Sequence, residues 1–191
     1  MSAVPRILTS LSAVALAVPV LLSAQTTKPI ARFSATAVNL DAPTGRATGP
    51  VDILVTRWST DAERDQLTTA MLEHGSTALL DALIKMPPVG SIRTPDSVGY
   101  DLRFARRQPL GTGDQIVLVT ARPLSFWERR QGPPSNDYPF TMIELRVGAN
   151  GEGEGKISSA TRVVVDNATK MMRLEDWNVG PVLLQKVRTE K

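Results

Sequence analysis

Apolar and polar positions alternate along most of this chain, which is the period of β-strands. In residues 51–58 the side chains Val51, Ile53 and Val55 fall on one face and Leu54, Thr56 and Trp58 on the other. Residues 31–40 alternate more loosely, with Phe33, Ala35 and Ala37 on one side, and read as a strand before it. Residues 98–107 put Tyr100, Leu102 and Phe104 on one face and Asp101 and Arg103 on the other, which describes a strand wet on one side. The run 115–122 differs. Ile116 and Leu118 point one way, and Val117, Val119 and Ala121 the other, so this strand needs cover on both faces. Four further strands are expected over 140–147, 156–166, 170–175 and 181–188.

The period becomes helical between the second and third of these strands. Thr60 followed three residues later by Glu63 is a capping box, and Leu67, Ala70 and Met71 follow at helical spacing. Gly75 is expected to end that helix. Ser76 then caps a second one with a stripe of Leu79, Leu80, Leu83 and Ile84, and Pro87 and Pro88 stop it. Glycine- and proline-rich turns over 41–50, 111–114 and 150–155 connect neighbouring strands, and short connections make neighbours antiparallel. The expected fold class is α+β and mostly antiparallel β: about eight strands, in a barrel or a sandwich, with a two-helix hairpin inserted after the second strand.

The first 24 residues stand outside this pattern. One charge, Arg6, precedes an apolar run over 7–22 and then the small pair Ser23-Ala24, the composition of a secretory signal peptide cut near Ala24. A retained membrane anchor is the competing reading, but a spanning helix needs roughly 20 apolar residues and this run is shorter and holds Pro19. The expected organisation is a signal peptide over 1–24, an extended leader over 25–30 and a single β-rich domain over 31–191. The setting is periplasmic or secreted, with no stable membrane insertion after cleavage.

Composition narrows the chemistry. The 191 residues contain no cysteine, so an exported chain of this kind carries no disulfide framework, thiol nucleophile or thiolate metal site. A net charge of +3 with interspersed signs favours neither nucleic acid nor an anionic membrane. His74 is the only histidine and ends the first helix, where it suits the helix dipole better than catalysis. No metal and no cofactor are expected. The segment 150–155 places oxygen ligands at alternate positions like a calcium loop, yet Thr161 stands where the bidentate carboxylate belongs, so a hairpin turn is preferred.

The densest chemistry lies between Tyr100 and Tyr138. Arg103, Arg106, Arg107, Arg122, Arg129 and Arg130 occur there without a lysine, and arginine forks bind carboxylates and phosphates. Asp101, Asp114, Glu128 and Asp137 offer those arginines ordinary ion pairs instead. Within the proline-rich loop, Phe126, Trp127 and Tyr138 either pack inward or line a binding edge. If a pocket exists, Trp127 and Tyr138 are its expected wall, and Arg103 and Arg130 its charge.

The strings Arg57-Trp58-Ser59-Thr60-Asp61-Ala62-Glu63-Arg64, Asp137-Tyr138-Pro139-Phe140 and Gly151-Glu152-Gly153-Glu154-Gly155-Lys156 resemble those of a group of uncharacterised exported bacterial proteins. The resemblance covers most of the mature chain and implies a bacterial envelope setting. It brings no activity, substrate or catalytic residue. The expected function is a soluble, non-enzymatic module binding a small ligand or an envelope partner. Two alternatives stand beside it: a hydrolase or isomerase built on carboxylates such as Glu128 and Asp137, and a structural partner-binding subunit.

Overall fold

The computed structural model describes residues 28–39, 47–95, 97–122, 124, 140–158, 163–166, 168, 170–174 and 182–190. Residues 1–24, and the leader up to residue 27, lie outside the described residues. The elements run β1 (Ala31–Asn39), β2 (Ala47–Val55), α1 (Asp61–Lys85), β3 (Gly90–Arg93), β4 (Tyr100–Leu110), β5 (Gly113–Thr120), β6 (Thr141–Val147) and β7 (Glu152–Ser158). They continue with β8 (Val163–Val165), β9 (Met172–Leu174) and β10 (Val182–Glu190).

Eight strands close a barrel in the order β1-β10-β7-β6-β5-β4-β3-β2, and every pairing is antiparallel. Closure falls to β10, which bonds β1 on one side and β7 on the other and so removes both sheet edges. The choice between barrel and sandwich is thereby made. Among the described residues, β8 and β9 pair only with each other, as a two-stranded ribbon.

Strand alternation sorts the apolar side chains into two cores. Phe33, Ala35 and Ala37 of β1, Val51, Ile53 and Val55 of β2, and Ile116 and Leu118 of β5 fill the barrel with Ile143, Leu145 and Leu184. The interior is tightly filled. A Cβ on Gly155 would sit 2.6 Å from Leu145 Cδ2 and 2.8 Å from the Glu144 carbonyl oxygen. The second core lies on the outer surface, where Leu67, Leu79, Leu83 and Met86 of the helical segment cover Phe104, Val117, Val119 and Met142. β5 therefore contributes to both cores, as its two apolar faces require.

Several expectations change. The two-helix hairpin is not formed: α1 is one element with a kink at Gly75, whose φ of 78° and ψ of −166° leave the helical region. A helical hairpin needs a connection of about 2–5 residues, and a single non-helical residue supplies only a bend. Phe104 does not share a face with Leu102. The β4–β5 register slips between them, so Leu102 turns into the barrel while Phe104 faces α1. The strand expected over 156–166 is divided between β7 and β8, and β3 was not anticipated because Pro87, Pro88 and Gly90 mask a four-residue strand.

The start of α1 is fixed electrostatically. Thr60 Oγ1 accepts from the Glu63 amide at 3.2 Å, the Glu63 carboxylate accepts from the Thr60 amide at 2.8 Å, and the Arg57 guanidinium donates to both Glu63 oxygens at 2.8 and 2.9 Å. The Arg57 hydrogen bonds, with help from Thr60, hold the Glu63 carboxyl down at about 2. A depressed carboxyl stabilises the fold above its unfolded value and loses that contribution as pH falls through the folded value. Acid melts are expected to show Glu63→Gln and wild type converging between about pH 4.5 and pH 2. A constant gap between the two across that window contradicts the assignment.

Candidate functional site

The irregularity in β4 also places the residue with the best sequence-level claim to a site. Leu102 stands opposite Thr120 and Phe104 opposite Val119, so Arg103 has no register partner on β5. Its Nη1 donates to the Met86 carbonyl at the end of α1 at 2.7 Å, and its Nη2 donates to Asp101 at 3.2 Å. A cation on the last carbonyls of a helix satisfies an orphan acceptor and matches the dipole. Arg103 is thus a tie between barrel and helix.

Beside that tie opens a cleft of about 360 Å³ lined by Ile84, Gly99, Asp101, Arg103, Ala121 and Arg122. The Arg122 guanidinium carbon lies 4.3 Å above the centre of the Tyr100 ring. A cation over a ring face is attracted by the ring's negative centre, which holds Arg122 against Tyr100. Arg122 is exposed, and its guanidinium makes no hydrogen bond or ion pair among the described residues. The cleft therefore presents one cation held over a ring and unpaired among the described residues, with a second, Arg103, beside Asp101.

The other candidates divide. Trp127, Tyr138 and Arg130 lie outside the described residues, as do Glu128, Arg129 and Asp137; in sequence the segment that carries them begins just beyond Arg122. Arg106 is paired with Asp61 and donates to the Ser59 carbonyl, and Arg107 is paired with Asp114, so these two follow the ion-pair reading. His74 is exposed, with Nε2 3.7 Å from Glu73 Oε2. The 150–155 segment is a turn running into a strand: Asn150 Oδ1 accepts from the Glu152 amide at 3.1 Å, Gly151 has φ 78°, and Glu152 and Glu154 belong to β7. Among the described residues no group of three or more His, Asp or Glu side chains is arranged to hold a metal ion, and no helix is long and apolar enough to cross a membrane.

Sequence reasoning passed over a second set. Glu144 on β6, Gln115 on β5 and Lys156 on β7 are buried polar side chains on the outside of the barrel. The available signal was Glu144 and Arg146 sharing a face of an otherwise apolar strand, and it was too short to stand out.

Comparison of the chain with protein-family models, curated proteins and solved structures finds no match.

Arg103→Ala is expected to lower stability by roughly 1 kcal/mol, because the Met86 carbonyl loses a charged donor in a partly solvated place. Hydrogen exchange should quicken in the last turn of α1 first. An unchanged melting midpoint with unchanged exchange contradicts the tie.

Proposed function

We propose that this protein is an exported bacterial envelope module, non-enzymatic, that binds a small anionic ligand in the cleft beside Arg122. The reading rests chiefly on one observation, the exposed Arg122 guanidinium held over the Tyr100 ring on the lining of a cleft. A carboxylate or phosphate meets such a fork with two parallel hydrogen bonds. The cleft volume falls in the range of small-molecule sites, and Ile84 and Ala121 supply apolar wall. Trp127, Tyr138 and Arg130, on the segment that follows Arg122 in sequence, belong to the same proposal as further wall and charge.

Export is supported by the pattern of residues 1–24, with cleavage near Ala24. The absence of cysteine from an exported chain is consistent with a barrel held by sheet and core alone.

The test is calorimetric titration of the secreted protein, its N-terminus read by mass spectrometry, with inorganic phosphate and acetate. The mature chain should begin at or near Gln25, and Arg122→Gln should weaken binding by about 10- to 100-fold, the value of one or two charge-assisted hydrogen bonds, at an unchanged melting midpoint. Equal affinity in wild type and Arg122→Gln contradicts the site, and recovery of the intact N-terminus contradicts export.

A further inference from the structure

The outer surface of β4, β5, β6 and β7 carries a row of side chains that stability does not account for. Strand register aligns Gln108, Gln115, Arg146 and Glu154 across these four strands, and Glu144 and Lys156 face each other one step along. Glu144 is 1% exposed, Lys156 4% and Gln115 6%. Next to them on the same face, Val117, Val119 and Met142 are apolar. Burying a carboxylate and an ammonium costs more than burying hydrocarbon of the same size, so an apolar row would hold the fold equally well.

The buried carboxylate instead orders what lies above it. Gln115 Nε2 donates to Glu144 Oε1 at 2.7 Å, which turns the Gln115 carbonyl oxygen toward Gln108, whose Nε2 donates to it. Arg146 donates to the same Glu144 oxygen through Nε at 3.4 Å and Nη2 at 3.3 Å. One carboxylate therefore sets the orientation of Gln115 and Arg146 directly and of Gln108 through Gln115.

These three side chains form one side of a cleft of about 430 Å³ between the barrel and the β8–β9 ribbon. Pro109 and Leu110 continue it, and Asp166, Met171 and Arg173 close it from the ribbon. Arg146 is 41% exposed there although it is held from below. Asp166 is engaged within the ribbon, where its Oδ1 accepts from the Ala168 amide at 2.9 Å. Arg146 and Arg173 thus line a cleft with one carboxylate, beside hydrocarbon from Pro109 and Leu110 and over Met171, which is 2% exposed and belongs to the second core.

We propose that this cleft is a second binding site, separate from the one beside Arg122, and that it takes an organic monocarboxylate with a short hydrocarbon body. Arg146 and Arg173 receive the carboxylate, Gln108 and Gln115 give it polar contacts, and Met171, Pro109 and Leu110 cover the hydrocarbon. Pre-orientation by Glu144 removes the ordering cost that a loose arginine would pay on binding.

The experiment titrates the mature protein, labelled on its methionine methyl carbons, with hexanoate. The Met171 methyl resonance is expected to move and that of Met86, beside the Arg103 tie, to stay. Hexylamine and inorganic phosphate should leave Met171 in place. Arg146→Gln and Glu144→Gln should each weaken hexanoate binding by about tenfold or more, the value of a lost or misaligned charge-assisted hydrogen bond. Arg173→Gln, on the ribbon surface, gives the same reading if Glu144→Gln fails to fold. An unmoved Met171, an equal response to hexylamine, or wild-type affinity in Arg146→Gln and Arg173→Gln overturns the proposal.

Discussion

A strand that is apolar on both faces has to be covered twice, and β5 imposes that requirement on the whole molecule. Ile116 and Leu118 are satisfied by closing the sheet on itself, which the bonding of β10 to both β1 and β7 completes. Val117 and Val119 still face outward, and α1 with Phe104 and Met142 supplies the second cover. The slip at Arg103 belongs to the same demand. Without it Phe104 would follow Leu102 into the barrel, and a small Ala105 would stand where a large ring is needed under the helix.

The clefts lie where that second cover runs out. At the end of α1, Arg103 holds the helix to the barrel and Arg122 stands beside it on Tyr100. On the other flank the apolar surface gives way to Gln108, Gln115, Glu144 and Arg146, and the β8–β9 ribbon overhangs them. Eight-stranded barrels either fill their interior with side chains or hold a ligand inside. Among the described residues the interior is packed and the clefts with polar walls are external, so in the proposed reading the barrel is a rigid support for sites on its outside.

Much of this was legible in the sequence because period two is a clear signal in 51–55 and 115–120, although Trp58, expected on the face opposite Val51, lies past the end of β2 and packs against the barrel core, and the Thr60–Glu63 capping box marked the start of α1 to the residue. A break at Gly75 was legible too, but as the end of one helix and the start of another, whereas Gly75 is a single non-helical residue inside α1. Alternation could not reveal the slip at Arg103, since Tyr100, Leu102 and Phe104 look equally spaced until β5 imposes its register. The site was less legible than the fold. Arg103 was singled out for its charge and is occupied by the Met86 carbonyl, whereas Arg122 became prominent only through the ring beneath it. The Glu144 cluster draws its members from four strands and so leaves no contiguous mark in the chain.

The central claim is that this barrel binds outside and packs inside. Amide-resolved nitrogen–proton spectra of the mature protein, recorded with and without saturating phosphate and hexanoate together, test it most directly. The account predicts shifts at the outer margins, around Gly99, Arg122, Gln108 and Arg146, with the amides of Ala37, Ile53 and Leu184 unmoved. Shifts concentrated at those three inward-facing positions would mean that the ligand enters the barrel, and would contradict it.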